Sequence, residues 1–265
     1  MNGPRRAAFF GGIYSNEPAL REAIRDARAR GAEALYCLGD LGGFGPHPER
    51  IAPLLQEQGV IVVQGNYEDS IGHDRPDCQC GYVDPRDNHF AQLAYDYTRG
   101  KTPHGQKAWF RTLPKTLRCS MGGRRLLLCH GSPRRQNEFL WESTSPTPFL
   151  ERLLREAEAD VVLCTHTGIP WRRTLPSGGQ VVNVGVLGRP ANDGRTTVSY
   201  ALLTVETPGG PLRVEPVPVA YDYEAVAREM RAEGLPPEFV ETILTGWWTT
   251  CLEILPARER ASGRF

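Results

Sequence analysis

The sequence predicts an α/β fold, and three observations carry that expectation. Strand-like and helix-like segments alternate near the N-terminus, four apolar β-rich runs end in a residue able to bind a metal ion, and paired glycines mark hairpin turns in the second half. At 265 residues the chain can bury a full core as one large domain, or as one domain with an appendage.

Residues 7–12 read as a strand. Pro18 to Arg30 reads as a helix, because Ala19, Leu20, Ala23, Ile24 and Ala27 recur at helical spacing and Gly31 closes the segment. A strand then runs to Leu38, followed by the glycine-rich loop from Gly39 to Pro46, a helix from Pro48 to Gln58 and a strand from Val60 to Val63. This β-α-β-α-β order implies a parallel, right-handed beginning. From about Ser70 to Pro114 Asp, Pro, Cys and Gly crowd together before helical stretches at His89–Tyr97 and Gly105–Thr112, which suggests a helical insertion (residues 70–115) lying over the strand ends. Strands resume at Leu117–Ser120, Arg125–Cys129, Val161–Cys164, Gln180–Val184 and Ser199–Val205, with a helix at Pro148–Glu158. Gly122-Gly123 and Ser177-Gly178-Gly179 read as hairpin turns. Beyond Tyr221, helices at Asp222–Glu233 and Pro237–Leu244 and the pair Trp247-Trp248 form a C-terminal appendage, so that residues 1–220 make the main domain and 221–265 pack upon it.

Composition narrows the function. Hydrophobic content of 40% and charged content of 23% are those of a soluble globular protein. Thirty-one basic against 31 acidic residues leave no electrostatic footprint for nucleic acid or a membrane surface. A small phosphorylated ligand needs only a local basic patch, which Arg134-Arg135 or Arg172-Arg173 would supply if they are not plain solvated surface. No run approaches the ~20 apolar residues of a membrane span, and the N-terminus turns polar too quickly for a secretory signal. Seven cysteines, an odd number, argue against a disulfide framework and for a reducing cytoplasm. Cys37, Cys129 and Cys164 read as small core residues, and paired aromatics such as Trp247-Trp248 as a cap on the core or a homodimer contact.

The apolar runs end on Asp40, Asn66, His130 and His166. In α/β folds ligands gather beyond the carboxyl ends of strands, so these four are expected to converge on one ion. Two imidazoles, a carboxylate and an amide oxygen suit manganese, iron or zinc. Gly12 and Gly168 stand where further ligands would be expected.

Taken in order, Gly12-Ile-Tyr14-Ser-Asn16, Gly39-Asp40, Gly65-Asn66-Tyr67-Glu68, His130-Gly131-Ser132 and Thr165-His166-Thr-Gly168 resemble the motifs of the calcineurin-like metallophosphoesterases, in particular their compact bacterial branch. Gly43-Phe44-Gly45-Pro46 and the segment from Asn183 to Pro190 extend the resemblance, which covers roughly residues 7–205. It implies a four-layer α/β/β/α sandwich with a two-metal centre that clamps a phosphate and activates water. It also implies that Asp40, Asn66, His130 and His166 hold the second metal. The ligands exclusive to the first metal are replaced by Gly12, Tyr14 and Gly168, so one metal per chain is expected. Tyr67 takes the place of the family's proton-donating histidine, and Tyr67 with Arg134 or Arg189 is expected to steady the phosphoryl oxygens.

Three functions are compatible with this pattern: an atypical phosphoesterase acting on a phosphomonoester or phosphodiester, a non-catalytic metal- or ligand-binding protein, and a changed chemistry, redox or non-phosphate, at a remodelled centre. Tyr14 either ligates a ferric ion as phenolate or simply fills the vacated volume. Cys78 and Cys80 are either softer metal ligands or redox-labile surface thiols. The cluster Arg86 to His89 reads as a helix start with a solvated histidine.

Overall fold

The computed structural model describes residues 3–207 and 209–264. Strand β1 (Arg6–Phe10) leads into α1 (Glu17–Ala29), whose first turn is capped by the Asn16 side chain accepting from the Ala19 amide. Strand β2 (Ala34–Cys37), a short 3₁₀ turn and α2 (Ile51–Glu57), then β3 (Ile61–Val62) complete the parallel start. Three helices follow, α3 (Asn66–Gly72), α4 (Pro85–Lys101) and α5 (His104–Phe110). The second half runs β4 (Thr116–Met121), β5 (Arg124–Cys129), α6 (Thr147–Glu156), β6 (Val161–Cys164), β7 (Trp171–Thr174), β8 (Gln180–Asn183), β9 (Val198–Thr204) and β10 (Arg213–Val219). Helices α7 (Tyr223–Ala232), α8 (Pro237–Thr245) and α9 (Ala257–Ala261) close the chain.

The strands form two mixed sheets, ordered β10-β9-β1-β2-β3 and β4-β5-β6-β8-β7. Alternation of side chains along each strand sorts the apolar residues into three layers. In β1, Ala8 and Phe10 face α1 through Leu20, Ala23 and Ile24. Ala7 and Phe9 face the other sheet, meeting Leu126, Leu128 and Leu163. In β5 the intervening Leu127 and Cys129 turn outward to Leu150 and Leu153 of α6. Helix, sheet, sheet, helix is therefore the expected four-layer sandwich.

The inserted helices and the C-terminal pair α7 and α8 join the same apolar cluster as α1, through residues such as Tyr95, Phe110, Val226 and Phe239. Four elements escape the sequence reading: β7, β10, α3 and the short α9. Strands β7 and β10 are both sheet edges, each bonded on one side only. In β10 Pro216 and Pro218 interrupt the strand signal, yet Val214, Val217 and Val219 are buried beside exposed prolines, the pattern of an edge strand. Helix α3 begins on a ligand motif, where its polar residues hid its periodicity. Among the described residues no helix is long and apolar enough to cross a membrane.

Candidate metal centre

The four candidate ligands arrive from four strand ends of both sheets. Asp40 follows β2, Asn66 opens α3 just after β3, His130 directly follows β5 and His166 lies just beyond β6. Asp40 (φ 56°) and His166 (φ 69°) adopt left-handed backbone conformations, which cost a non-glycine residue about 1–2 kcal/mol and gather at functional sites. Glu68 fixes the Asp40 turn. Its carboxylate accepts from the amides of Asp40, Leu41 and Gly65, each at 2.8 Å, and Asp40 Oδ1 in turn accepts from the Tyr67 amide at 3.2 Å.

The imidazoles are oriented by backbone carbonyls. His130 Nδ1 lies 2.6 Å from the Leu38 oxygen and His166 Nε2 lies 3.1 Å from the Cys80 oxygen. A carbonyl only accepts, so these nitrogens carry the hydrogens and the opposite nitrogens are bare. The bare His130 Nε2 faces His166 Nδ1 at 3.0 Å and Asp40 Oδ2 at 3.2 Å. One ligand atom from each of Asp40, His130 and His166 lies within 4.8 Å of the others. Three lone pairs aimed at one another in a buried place repel unless a cation sits among them. The fourth candidate agrees: Asn66 Oδ1 is buried without a partner, while its amide nitrogen donates to the Cys78 oxygen at 2.9 Å and the Cys80 sulfur at 3.3 Å.

The electrostatics point the same way. Burial opposes charge on Asp40, but His130 and His166 outweigh it and hold the carboxyl below its ordinary range. Burial would lower His130 too, yet the Asp40 carboxylate and the Leu38 carbonyl leave it raised. Burial and the neighbouring His130 push His166 down to about 3, so this ring is neutral, as a ligand must be. A proton on His130 and a metal ion satisfy the same demand. Glu68 is pushed up to about 7 by burial and by Asp40, against the pull of its three amide donors.

The space beside Gly12 and Gly168 is filled. A Cβ on Gly12 would stand 2.8 Å from Cε1 of Tyr14, and one on Gly168 (φ 82°) 2.7 Å from Cη2 of Trp248 and 3.5 Å from Nη2 of Arg189. Burial keeps the Tyr14 phenol well above its ordinary value despite the nearby Arg189, and its ring occupies the volume beside Gly12. Trp248 is pinned by hydrogen bonds to Pro190 and Asn192 at 2.7 and 2.8 Å; it walls this part of the site instead of merely capping the core. Arg189 is 4% exposed, with its guanidinium carbon 3.7 Å from the Trp248 ring centre, 4.6 Å from Phe44 and 5.7 Å from Tyr14.

Other expected site residues are disposed differently. Tyr67 is buried, packed under Gly43 and edge-on to Tyr95, with its hydroxyl unpartnered. Arg134, expected at the phosphoryl group, instead pairs with Glu138 and lies 4.7 Å over Phe149, and none of its contacts is with the four ligand candidates. Arg172 donates to the carbonyl of Val214, and Arg173 to those of Ser145 and Glu142. Cys78 and Cys80 are buried and bonded to each other, which corrects their reading as surface thiols, and their segment roofs the centre. Asp84 caps α4, as expected of a helix start near Arg86. Glu68 acts as a positioning residue that no ligand motif marks, although its place three after Gly65 is that of a capping box. Phe139, whose ring centre lies 4.3 Å from that of His166, likewise belongs to no motif.

A family model described as the calcineurin-like phosphoesterase superfamily domain matches residues 14–208. An uncharacterised protein of Methanocaldococcus jannaschii is 22% identical over 254 residues, covering 90% of this chain and 97% of that one. Among solved structures, a hypothetical protein from Pyrococcus horikoshii aligns with a TM-score of 0.75 and 23% identity over 92% of this chain and 99% of its own. A metallophosphoesterase from Sphaerobacter thermophilus aligns with a TM-score of 0.68 and 23% identity over 92% of this chain and 100% of its own. At these identities the two structures speak for the fold alone.

Proposed function

The chain belongs to the calcineurin-like phosphoesterase superfamily, and from that premise we propose that it is an atypical phosphoesterase using one transition-metal ion held by Asp40, Asn66, His130 and His166. The observation that carries this reading is the meeting of three bare ligand atoms within 4.8 Å, whose tautomers two backbone carbonyls dictate. The orphaned Asn66 oxygen supplies a fourth donor. Two nitrogens, a carboxylate and an amide oxygen suit manganese, iron or zinc.

When bound, such an ion supplies a Lewis acid that polarises a phosphoryl oxygen and lowers the pKa of water. The remaining work falls to the chain. Glu68 holds the Asp40 turn, and Leu38 and Cys80 hold the imidazoles. Tyr67, raised well above the ordinary phenol value by burial and by Asp40, stays protonated and acts as a hydrogen-bond donor toward a phosphoryl or leaving-group oxygen. Arg189 brings positive charge. The substrate is a phosphomonoester or phosphodiester small enough to enter once the Cys78–Cys80 segment or the Trp248 segment moves, because no ligand candidate is more than 7% exposed.

Elemental analysis of purified protein, run beside turnover of a generic aryl phosphodiester with added manganese, tests the reading. About one metal per chain with turnover is expected. Two metals per chain would sink the single-site assignment. The burial of the centre favours a second reading, a metal held for structure or sensing, and one metal without turnover would select it.

A further inference from the structure

We infer that Arg189 occupies the place of the missing first metal and performs its electrostatic task, binding the substrate's phosphoryl oxygens opposite the retained ion. The inference rests on the single-metal reading above.

The loss of the first-metal ligands is not a set of independent gaps. Gly12 leaves the volume that the Tyr14 ring fills, and Gly168 the volume that Trp248 fills. Those two rings, with Phe44, are the ones that surround the Arg189 guanidinium. Residues from the loop after β1, the loop after β2 and the C-terminal segment thus build one aromatic box around one cation. The guanidinium lies where a side chain at position 168 would have pointed, since its Nη2 is 3.5 Å from a Cβ placed on Gly168, and one wall of the box, the Tyr14 ring, stands 2.8 Å from a Cβ placed on Gly12.

The cation inside it is incomplete. Arg189 is 4% exposed, its Nε is buried without a partner, and among the described residues no carboxylate or carbonyl engages it. Aromatic faces attract a guanidinium but accept none of its in-plane N–H bonds. A guanidinium is permanently charged and presents a planar fork matched to phosphate oxygens. A structural arginine is normally buried against a carboxylate. A buried one stacked between rings, beside a metal centre and left without an anion, is instead poised for a tetrahedral oxyanion.

Inorganic phosphate titrated calorimetrically into manganese-loaded protein tests this, with metal content measured on each sample. Arg189→Met, which fills the box without charge, is expected to weaken phosphate binding by roughly 10–100-fold, the range of a charge-assisted contact, and to keep one metal per chain. Arg189→Lys is expected to bind phosphate at least several-fold more tightly than Arg189→Met; equal affinity of the two would overturn the charge argument. Phosphate affinity unchanged within twofold in Arg189→Met, with metal content intact, would reduce Arg189 to a packing residue. Should Arg189→Met fail to fold, the lysine variant decides, and affinity equal to wild type overturns the role of the fork. A wild type that retains no metal would defeat the single-metal reading instead, and phosphate binding by the metal-free wild type, lost in Arg189→Met, would still uphold the oxyanion site.

Discussion

Replacing Gly168 by alanine probes whether the missing ligand and the tryptophan wall are one feature. Gly168 has φ 82°, a conformation that costs an alanine roughly 1–2 kcal/mol. The new methyl would stand 2.7 and 2.9 Å from two carbons of the Trp248 ring, which is held by hydrogen bonds at both its backbone and its indole nitrogen. Such overpacking adds about 1–3 kcal/mol, for a total of about 2–5 kcal/mol, against the ~5–15 kcal/mol of a typical domain. Trp248→Ala alone should cost about 3–5 kcal/mol through the cavity it leaves. The double variant removes the clash but not the backbone cost, so the two losses should fall short of additivity by ~1–3 kcal/mol. Urea unfolding followed by far-ultraviolet circular dichroism measures all four corners of the cycle. Strict additivity, or a Gly168→Ala loss below about 0.5 kcal/mol, would refute the claim that Trp248 holds the space of the lost ligand.

The metal centre yields further expectations. His130 is raised above the ordinary imidazole value, so protons compete for its Nε2 from above pH ~6.5. Metal affinity should then fall by roughly tenfold per pH unit below its pKa, whereas His166, pushed down to about 3, adds no competition until far more acid conditions. Manganese affinity that stays flat from pH 8 to pH 5 would contradict this. His166→Ala should abolish metal retention on gel filtration, and an unchanged metal content would remove His166 from the ligand set. Glu68→Gln places an amide donor among three backbone donors; it should cost about 1–3 kcal/mol and weaken metal binding through the Asp40 turn, both read from urea midpoints with and without manganese. Tyr67→Phe should lower turnover of an aryl phosphodiester by roughly 10–100-fold with metal content unchanged, and equal turnover would exclude the phenol from the reaction.

The regular part of the fold was legible because its signals are local. Continuous apolar runs in Arg6–Phe10 and Arg124–Cys129 mark strands buried on both faces, and helical spacing in Glu17–Ala29 marks burial of one stripe. Edge strands such as Trp171–Thr174 and Arg213–Val219 were not legible, since one free side relaxes the demand for β-branched residues and admits proline. Asp40, Asn66, His130 and His166 could be picked out because each ends an apolar run. The surroundings of Arg134 were not legible from its neighbours in the chain, since its partners Glu138 and Phe149 are brought to it by the fold.

The sequence by itself determined which side chains stand at the strand ends, because strand order and motif order are properties of the chain, and it marked Gly12, Tyr14 and Gly168 as departures. What stands in their place was decided only in three dimensions. Trp248 is 80 positions from Gly168 along the chain yet fills its side-chain volume. The hydrogen of each imidazole is set by carbonyls 92 and 86 positions away. Contacts of that range leave no periodic trace, since each depends on how several separately encoded elements pack. For that reason the ligand candidates Asp40, Asn66, His130 and His166 can be read along the chain, and the aromatic box around Arg189 only across it.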